Sequence, residues 1–159
     1  MKISYNSRIA ITGGFGFIGS NLVRFLNQLG YNNITVIQDN WYGKWKNLVG
    51  LSYKCISRDD FIYNTSGNNY DFIICLGANS STSAQPSEEV WRSNYEEVVE
   101  IINKNPLSKI IFASSASVYG SEESDFSERV SGLKPLNFYA FTKLSVDKYI
   151  LETNRDNLS

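Results

Sequence analysis

A glycine-rich loop between a short apolar run and a helical pattern is the feature that most constrains the fold of this chain. The loop, residues 12–19, reads TGGFGFIG, follows the apolar run at residues 8–12 and leads into an amphipathic stretch. Gly13 permits a tight turn, Gly16 removes a side chain where the backbone must approach a phosphate, and Gly19 allows close helix packing. The helix amino terminus adds free N–H groups and a partial positive charge. The loop is therefore predicted to hold a pyrophosphate, and a glycine-rich turn without a ligand is the alternative.

Five short runs of β-branched and other apolar residues predict five strands. They occupy residues 8–12, 34–37, 53–56, 72–76 and 109–113, and they are nearly continuous, as in strands buried on both faces. Helices are expected from residue 18 to a glycine cap at Gly30, from 87 to about 103 and from 137 to about 153. Strands that alternate with helices predict an α/β fold, a doubly wound parallel sheet of the Rossmann type with right-handed crossovers.

Length and charge limit the class of partner. The chain has 159 residues, of which 42% are hydrophobic and 19% charged, so one NAD(P)-binding domain over residues 1–159 is expected. The 15 Lys and Arg residues oppose 16 Asp and Glu residues, which gives a formal net charge of −1. Because no field of one sign surrounds such a protein, neither nucleic acid nor a membrane surface is a predicted partner.

The absence of histidine excludes several kinds of site. Without His, Ser-His-Asp and Cys-His catalysis and a His-based zinc site are excluded, and no metal is predicted. Cys55 and Cys75 each lie in an apolar, strand-like run, so both are expected to be buried, reduced thiols. The amino terminus lacks the apolar core of a signal peptide, and no apolar run is long enough to span a bilayer. A soluble, cytoplasmic protein is therefore expected.

The end of the second predicted strand is an ambiguous ribose site. A dinucleotide-binding fold places an acid there, about 20 residues after the loop, to bind the adenosine ribose 2′-hydroxyl. The chain has Gln38, Asp39 and Asn40 at this point, so the acid is either Asp39 or absent, with Gln38 in its place. Lys44 and Lys46 follow and are suited to a 2′-phosphate, unless they belong to a solvated loop. NADP and NAD are both open as the cofactor, and the lysines slightly favour NADP.

A tyrosine and a lysine in the last helical pattern are candidates for proton transfer. Tyr139 and Lys143 are four residues apart, which places the phenol and the ammonium on one helical face. A phenol with an ordinary pKa near ~10 is a poor base at neutral pH, and two nearby cations would favour the phenolate by roughly 4 kcal/mol. Ser115 follows the fifth strand, where ligands bind in open α/β sheets, so its hydroxyl is placed to bond a substrate oxygen. The alternatives are aromatic packing with a solvated lysine, and a serine that caps a turn.

These motifs together resemble one superfamily. They are TGGFGFIG at residues 12–19, Gly77-Ala78, Asn94, SASVYG at residues 115–120 and YAFTK at residues 139–143. The chain resembles the extended short-chain dehydrogenase/reductases over nearly its whole length, in their NAD(P)-dependent nucleotide-sugar epimerase and dehydratase family. The resemblance implies an NADP or NAD cofactor, a nucleotide-sugar substrate and a homo-oligomer.

The resemblance also implies a role for each matched residue. Ser115, Tyr139 and Lys143 would form the catalytic triad, and Lys143 would also bind the nicotinamide ribose. Asn94 would help to order the site and line the cofactor. Phe17 and Ile18 would cover the pyrophosphate. The other residues implied in cofactor binding are Gly13, Gly16, Gly19, Gln38, Asp39, Asn40, Leu76, Gly77, Ala78, Asn79 and Ser80.

Within that family, the residues after the catalytic serine separate the reactions. Dehydratases typically carry acidic residues there, because eliminating water needs an extra acid and base. This chain has Ala116 and Ser117, so epimerisation or simple oxidoreduction is expected rather than dehydration. The narrowest resemblance is to ADP-heptose 6-epimerases, in which the counterparts of Lys44 and Arg58 contact NADP. One departure is Gln38, which stands where the family usually has an acid.

The leading hypothesis is an epimerase that acts on a nucleotide-activated sugar through a transient keto intermediate, with the hydride taken up and returned by the cofactor. Members of the family are about twice as long, and the carboxy-terminal substrate domain is expected to be missing here. The alternative is a cofactor-binding fragment or inactive remnant that needs a partner chain. A dehydratase or reductase of the same family is a further alternative. The fifth strand is expected to be an exposed apolar edge.

Overall fold

The computed structural model describes residues 4–39, 43–63, 69–81, 85–121, 126, 132–153 and 155–159. Asn40, a predicted cofactor contact, lies outside these ranges. The chain divides into two compact units. The first comprises Met1–Gly77, Glu100–Ala113 and Asn157–Ser159, and the second comprises Ala78–Val99 and Ser114–Asp156. A single domain over residues 1–159 stays a prediction.

Five parallel strands form the sheet of the first unit, in the order β3-β2-β1-β4-β5. All residues of β1, the central strand, and of its neighbour β2 are buried, which explains why their sequences do not alternate between apolar and charged residues. The predicted doubly wound α/β fold is confirmed, and each strand lies within one residue of its expected bounds. The strands are β1 Ile9–Thr12, β2 Ile34–Ile37, β3 Lys54–Ile56, β4 Phe72–Cys75 and β5 Lys109–Phe112.

Helices alternate with these strands along the chain. Helix α1 ends near Gly30, whose φ of +90° suits a helix terminus, as expected. No helix within the described ranges is long and apolar enough to cross a bilayer. The helices are α1 Phe17–Gln28, α2 Arg58–Tyr63, α3 Glu88–Trp91, α4 Glu97–Lys104 and α5 Phe138–Thr153, with 3₁₀ turns at Trp45–Leu48 and Ala116–Tyr119.

One apolar cluster forms the core between α1 and the sheet. Val23 of α1, Ile11 of β1 and Val36 of β2 are fully buried in it. Removing each such side chain from water contributes about 1.5–3 kcal/mol. Phe15 of the glycine-rich loop belongs to the same cluster, so the loop is anchored in the core at that residue.

Helix α2 is too short for the apolar pattern to predict, and the Ser57 side chain caps its start. Ser57 Oγ accepts a hydrogen bond from the Asp60 N–H at 3.0 Å and donates to Asp60 Oδ2 at 2.7 Å. The first of these bonds satisfies a backbone N–H that the first turn of a helix leaves without a partner. The Ser-x-x-Asp spacing is therefore the sequence signal that indicates this helix.

The helix expected over residues 87 to about 103 is confirmed as helical backbone over residues 88–104, but its middle turn is not α-helical. Helix α3 ends at Trp91, Arg92–Glu96 form a π-helical turn, and α4 begins at Glu97. The wider turn buries Asn94, which is 1% exposed and bonds to other parts of the second unit. Turns of this kind inside helices occur frequently at functional sites.

Only one of the two cysteines predicted to be buried is buried in the structure. Cys75 on β4 is buried, whereas Cys55 on β3 is exposed. Strand β3 lies at the edge of the sheet, so one side of it has no neighbouring strand among the described residues. An apolar run predicts a strand, but it does not show whether that strand is central.

The prediction that β5 is an open edge is wrong. The end of the chain pairs with this strand through a parallel bridge between Ile110 and Leu158. The Ile110 N–H donates to Asn157 O at 2.8 Å, and the Ser159 N–H donates to Ile110 O at 2.9 Å. The apolar edge of β5 is therefore covered by residues of this chain itself.

Candidate functional site

The turn after β1 can be built only with glycine. Gly13 has a φ of +69°, and a Cβ at this position would lie 2.8 Å from the Cα of Gly77, which follows β4. Thr12 Oγ1 accepts a hydrogen bond from the Gly77 N–H at 2.9 Å. The backbones after β1 and β4 therefore approach one another closely at the carboxyl ends of two adjacent strands, where ligands bind in open α/β sheets.

The other glycines of the loop differ in what a side chain at each position would contact. A Cβ at Gly19 would lie 2.4 Å from Gly13 O, so Gly19 allows α1 to pack on the turn, as predicted. A Cβ at Gly14 would lie 2.6 Å from a methyl group of Val36, which is a packing constraint that the motif alone does not reveal. A Cβ at Gly16 would meet only Gly13 O, at 3.1 Å, so the space beside Gly16 is largely free of protein atoms.

The amino terminus of α1 is suited to an anion. Gly16 occupies the cap position in extended backbone and has no side chain to bond the first-turn N–H groups, and the first turn carries no acidic residue. Such groups and the helix dipole favour a phosphate. Phe17 and Ile18 are 84% and 67% exposed, which is unusual for large apolar side chains and agrees with a predicted role in covering a ligand.

Asp39 is the acid at the end of β2, and its carboxylate is bound to Arg58. Asp39 Oδ1 accepts from the Arg58 backbone N–H at 2.7 Å, and Oδ2 accepts from Arg58 Nε. Gln38, the first residue after β2, is partly buried and donates its N–H to Ile56 O at 3.1 Å. Both candidate ribose-binding residues, Gln38 and Asp39, therefore lie at the end of β2. The Asp39 carboxylate is hydrogen-bonded to Arg58 at the start of α2.

The two lysines predicted near the ribose lie on the surface. Lys44 is exposed just before the 3₁₀ turn. Lys46 Nζ lies 5.8 Å from the centre of the Trp45 ring, in a cation–π geometry.

A cavity of about 620 Å³ lies in the first unit beside the carboxyl ends of β2 and β3. Phe15 of the glycine-rich loop contributes to it, so the loop and the strand ends line one space. The described residues that line it are Phe15, Gln38, Asp39, Trp45, Tyr53, Cys55, Ile56, Ser57 and Asp60. Partial desolvation by the surrounding residues and the Asp39 carboxylate raise the pKa of the Cys55 thiol, although Cys55 is exposed.

The predicted triad lies within the second unit. Lys143 is 2% exposed, and its Nζ lies 6.0 Å from the centre of the partly buried Tyr139 ring. A solvated lysine is thereby excluded. Ser115 Oγ accepts from the Ser117 N–H at 3.2 Å and caps the 3₁₀ turn, so the capping alternative is realised as well. A hydroxyl that accepts this bond still has its own proton to donate.

Asn94 connects a loop to the Tyr139 helix. Asn94 Oδ1 accepts from the Asn79 N–H at 2.8 Å, and Asn94 Nδ2 donates to Asn79 O at 3.1 Å and to Thr142 Oγ1 at 3.2 Å. Thr142 Oγ1 in turn donates to Tyr139 O at 2.7 Å. This network brings Thr142 into contact with Asn94, a role for Thr142 that the sequence did not predict, and the ordering role of Asn94 stays a prediction.

Asp147 is a further charged group near the predicted triad. Ser114 Oγ donates to Asp147 Oδ2 at 2.5 Å, and Asp147 lies one helical turn after Lys143. Burial raises the pKa of Asp147 from its ordinary value, although the Ser114 hydrogen bond and the Lys143 charge both act to lower it. The spacing of four residues places Asp147 and Lys143 on one helical face, which is the sequence signal for the influence of the Lys143 charge on Asp147.

The remaining predicted cofactor residues are divided between the units. Leu76 packs against the apolar cluster of the first unit. Ala78 is partly buried and Ser80 is exposed, and both belong to the second unit.

Comparison with known proteins agrees with these features. The sequence model of the NAD dependent epimerase/dehydratase family matches residues 9–159. An ADP-L-glycero-D-manno-heptose-6-epimerase of Brachyspira hyodysenteriae is 38% identical over 159 aligned positions, which cover 94% of this chain and 50% of the relative.

Two solved structures have the same fold. The ADP-L-glycero-D-manno-heptose-6-epimerase of Helicobacter pylori is 30% identical, with a TM-score of 0.79 over 98% of this chain and 56% of its own. A UDP-galactose 4-epimerase is 26% identical, with a TM-score of 0.76 over 94% of this chain and 52% of its own. The chain therefore spans about half the length of the relatives that it matches.

Proposed function

Because the chain belongs to the NAD dependent epimerase/dehydratase family, we propose that it binds a nicotinamide dinucleotide through its glycine-rich loop and serves the epimerisation of a nucleotide-activated sugar. The observation that carries the proposal is the space beside Gly16, where a Cβ would meet a single protein atom within 4 Å. Glycine there is not required by the backbone, since its φ is −70°. The absence of a side chain is therefore best explained by a ligand that the backbone must approach.

The residues of the first unit fit the dinucleotide. The first turn of α1 would hold the pyrophosphate through its N–H groups, and Phe17 and Ile18 would cover it. Gln38 and Asp39 would face the adenosine end from the cavity that they line. When bound, the dinucleotide supplies a nicotinamide ring that accepts and returns a hydride.

The residues of the second unit fit proton transfer. Tyr139 would remove the proton from a sugar hydroxyl and return it, and Ser115 would hold the sugar oxygen by donating a hydrogen bond. Lys143 is buried with its ammonium 6.0 Å from the Tyr139 ring centre, where it would bind the nicotinamide ribose beside the phenol. Thr142 would keep Tyr139 in place through its hydrogen bond to the Tyr139 carbonyl, and Asn94 would hold the Thr142 hydroxyl by donating to it.

The reaction proposed is epimerisation because the 3₁₀ turn after Ser115 contains no carboxylate. Ala116, Ser117, Val118 and Tyr119 form this turn, and an elimination would need an additional acid and base. The substrate proposed is an ADP-activated heptose, since two relatives of 38% and 30% identity carry that name.

A second function is favoured by one observation, namely that the chain covers 50% of its curated relative. In this alternative residues 1–159 by themselves bind the cofactor and do not carry out turnover. A homo-oligomer, as predicted from the family resemblance, also stays a proposal.

Calorimetric titration of the purified chain with NAD and NADP tests cofactor binding. Gly16→Ala is expected to weaken binding by about tenfold or more, since the new methyl group occupies the space beside the pyrophosphate. The fold should be retained, because the φ of −70° at Gly16 suits Ala and the contact of the new Cβ with Gly13 O, at 3.1 Å, needs only a small backbone shift. Gln28→Ala, at the exposed far end of the same helix, is the matched control and should bind normally. Equal affinity of the two variants would contradict the proposed site.

Turnover separates the two functions. The two 6-epimers of ADP-heptose differ in their proton NMR spectra, and an active chain should interconvert them at a rate that Tyr139→Phe abolishes while cofactor binding persists. Cofactor binding without interconversion by the wild-type chain would favour the alternative.

A further inference from the structure

We propose that Asn47 is a positioning residue for the dinucleotide, because its side chain holds the glycine-rich loop in the form that receives the pyrophosphate. This inference rests on the proposed function, since the loop is the part of the site that would bind the pyrophosphate. Asn47 lies in the 3₁₀ turn Trp45–Leu48, 32 positions after Phe15 in the sequence. Its Nδ2 donates a hydrogen bond to Phe15 O at 2.9 Å, which joins the turn to the loop.

The peptide group between Phe15 and Gly16 is held on both sides. The Gly16 N–H donates to Gly13 O at 2.9 Å, and the carbonyl of the same peptide accepts the bond from Asn47. Because a trans peptide is planar, with its N–H and C=O on opposite sides, bonds to both groups fix its orientation. This peptide directly precedes α1 and sets the backbone at Gly16, beside which the space for the ligand lies. Asn47 thereby fixes the backbone that the ligand must approach.

Asn47 is itself anchored to the core. The neighbouring Leu48 is 1% exposed and belongs to the apolar cluster between α1 and the sheet. Asn47 O accepts from Arg24 Nη2 of α1 at 3.3 Å, and the Asn47 N–H donates to Lys44 O at 3.0 Å. The backbone of Asn47 is therefore bonded on both sides, and its side-chain amide extends from a fixed turn.

Such a contact affects affinity through the free state of the loop. A loop that already has its bound form loses less conformational freedom when the ligand binds. Without the Asn47 amide, the peptide between Phe15 and Gly16 would be less restrained, and the dinucleotide would have to order it. The expected loss is that of about one hydrogen bond, which corresponds to about fivefold in affinity.

Calorimetric titration of Asn47→Ala with NAD and NADP tests the inference. The variant should bind each dinucleotide about fivefold more weakly than the wild-type chain. Asn27→Ala is the matched control, since Asn27 Nδ2 also donates to backbone carbonyls of the first unit, those of Tyr31 and Ser52, but lies at the far end of α1 from the loop. The control should bind normally, and urea denaturation verifies that both variants are folded.

Adenosine separates the positioning of the loop from a general effect on the site, because it lacks the pyrophosphate. By NMR titration, Asn47→Ala should bind adenosine within about twofold of the wild-type affinity. Equal weakening of adenosine and dinucleotide would mean that Asn47 supports the site as a whole, and it would overturn the inference.

Hydrogen exchange followed by NMR gives another readout, which needs no ligand. In Asn47→Ala the Gly16 amide should exchange with solvent about fivefold faster, because the peptide that carries it has lost one of its bonds. Asn27→Ala loses hydrogen bonds elsewhere and should leave the exchange of Gly16 unchanged.

The outcomes separate the inference from the proposed function. Wild-type affinity for the dinucleotides in Asn47→Ala, an unchanged exchange rate at Gly16, or an equal loss of affinity in Asn27→Ala would overturn the inference while leaving the proposed function intact. Failure of both dinucleotides to bind to the wild-type chain would overturn the proposed function and this inference with it.

Discussion

Gly13 and Gly77 lie so close together that a Cβ on Gly13 would be 2.8 Å from the Cα of Gly77 and 2.9 Å from its nitrogen. Both contacts are with backbone, which cannot rotate away. The φ of +69° at Gly13 adds a second constraint against any side chain. Gly13→Ala is therefore expected to lower the free energy of unfolding by about 3 kcal/mol, measured by urea denaturation.

Gly50→Ala isolates the conformational part of this effect. Gly50 has a φ of +77°, and a Cβ there would have no neighbour within 4 Å. This variant should lose only about 1 kcal/mol. Similar losses of unfolding free energy in the two variants would show that the close approach of Gly77 does not affect stability.

The hydroxyl of Thr142 is expected to stabilise the second unit. It donates to Tyr139 O and accepts from Asn94 Nδ2, and both Thr142 and Asn94 are buried. Thr142→Val preserves the side-chain shape but leaves these two groups without that partner. The free energy of unfolding should fall by about 2 kcal/mol, measured by urea denaturation.

Thr153→Val is the matched control for Thr142→Val. Thr153 Oγ1 also donates to the carbonyl three residues earlier in α5, Ile150 O, at 2.9 Å, but it is only partly buried. Its replacement should cost less than about 1 kcal/mol. Equal effects would mean that the bond to Asn94 contributes nothing.

The pattern of apolar residues predicts the strands well, because a strand that is buried on both faces is built mainly from apolar residues. Residues 34–37 form β2 as expected, and every one of them is buried. The pattern fails where position in the sheet decides the outcome. Cys55 is exposed because its strand lies at the edge of the sheet. The edge of β5 is covered by Leu158, which lies 48 positions after its partner Ile110, and a pairing over such a distance has no signal in the local sequence.

The candidate site shows the same limit in finer detail. The spacing of Tyr139 and Lys143 predicts their common face, since a helix fixes it. Sequence reasoning leaves Gln38 and Asp39 as alternatives, because the direction of a side chain at a strand end depends on its partner. Arg58 of α2 is that partner, and the apolar pattern does not predict α2.

The raised pKa of Asp147 makes the stability of the fold pH-dependent. Burial disfavours the charged carboxylate, so the folded chain keeps this proton at pH values where the unfolded chain has lost it. Stability from this group is thus present below about pH 4, the ordinary pKa of an aspartate, and is lost as the pH rises through the raised value. Asp147→Asn removes the effect, so the wild-type free energy of unfolding should decline relative to this variant as the pH rises from about 4.

Ser114→Ala is expected to move the pH-dependent decline in the free energy of unfolding to higher pH. The Ser114 hydroxyl lowers the pKa of Asp147 by bonding to its charged form, so its removal should raise that pKa further. The decline should then extend to higher pH. Urea denaturation between pH 4 and 8 measures both variants, and a parallel pH dependence of wild type and Asp147→Asn would contradict the assignment.

The pairing between β5 and the last residues is expected to protect the edge of the sheet. The Ser159 N–H donates to Ile110 O at 2.9 Å, and the Phe112 N–H donates to Ser159 O at 2.6 Å. Ser159→Pro removes the first donor, so Ile110 and Phe112 amides should exchange with solvent about fivefold faster or more, the equivalent of one lost hydrogen bond. Ser159→Ala keeps the backbone N–H and should leave exchange unchanged. Hydrogen exchange followed by NMR measures both variants, and unaltered protection in Ser159→Pro would mean that the segment does not pair with β5 in solution.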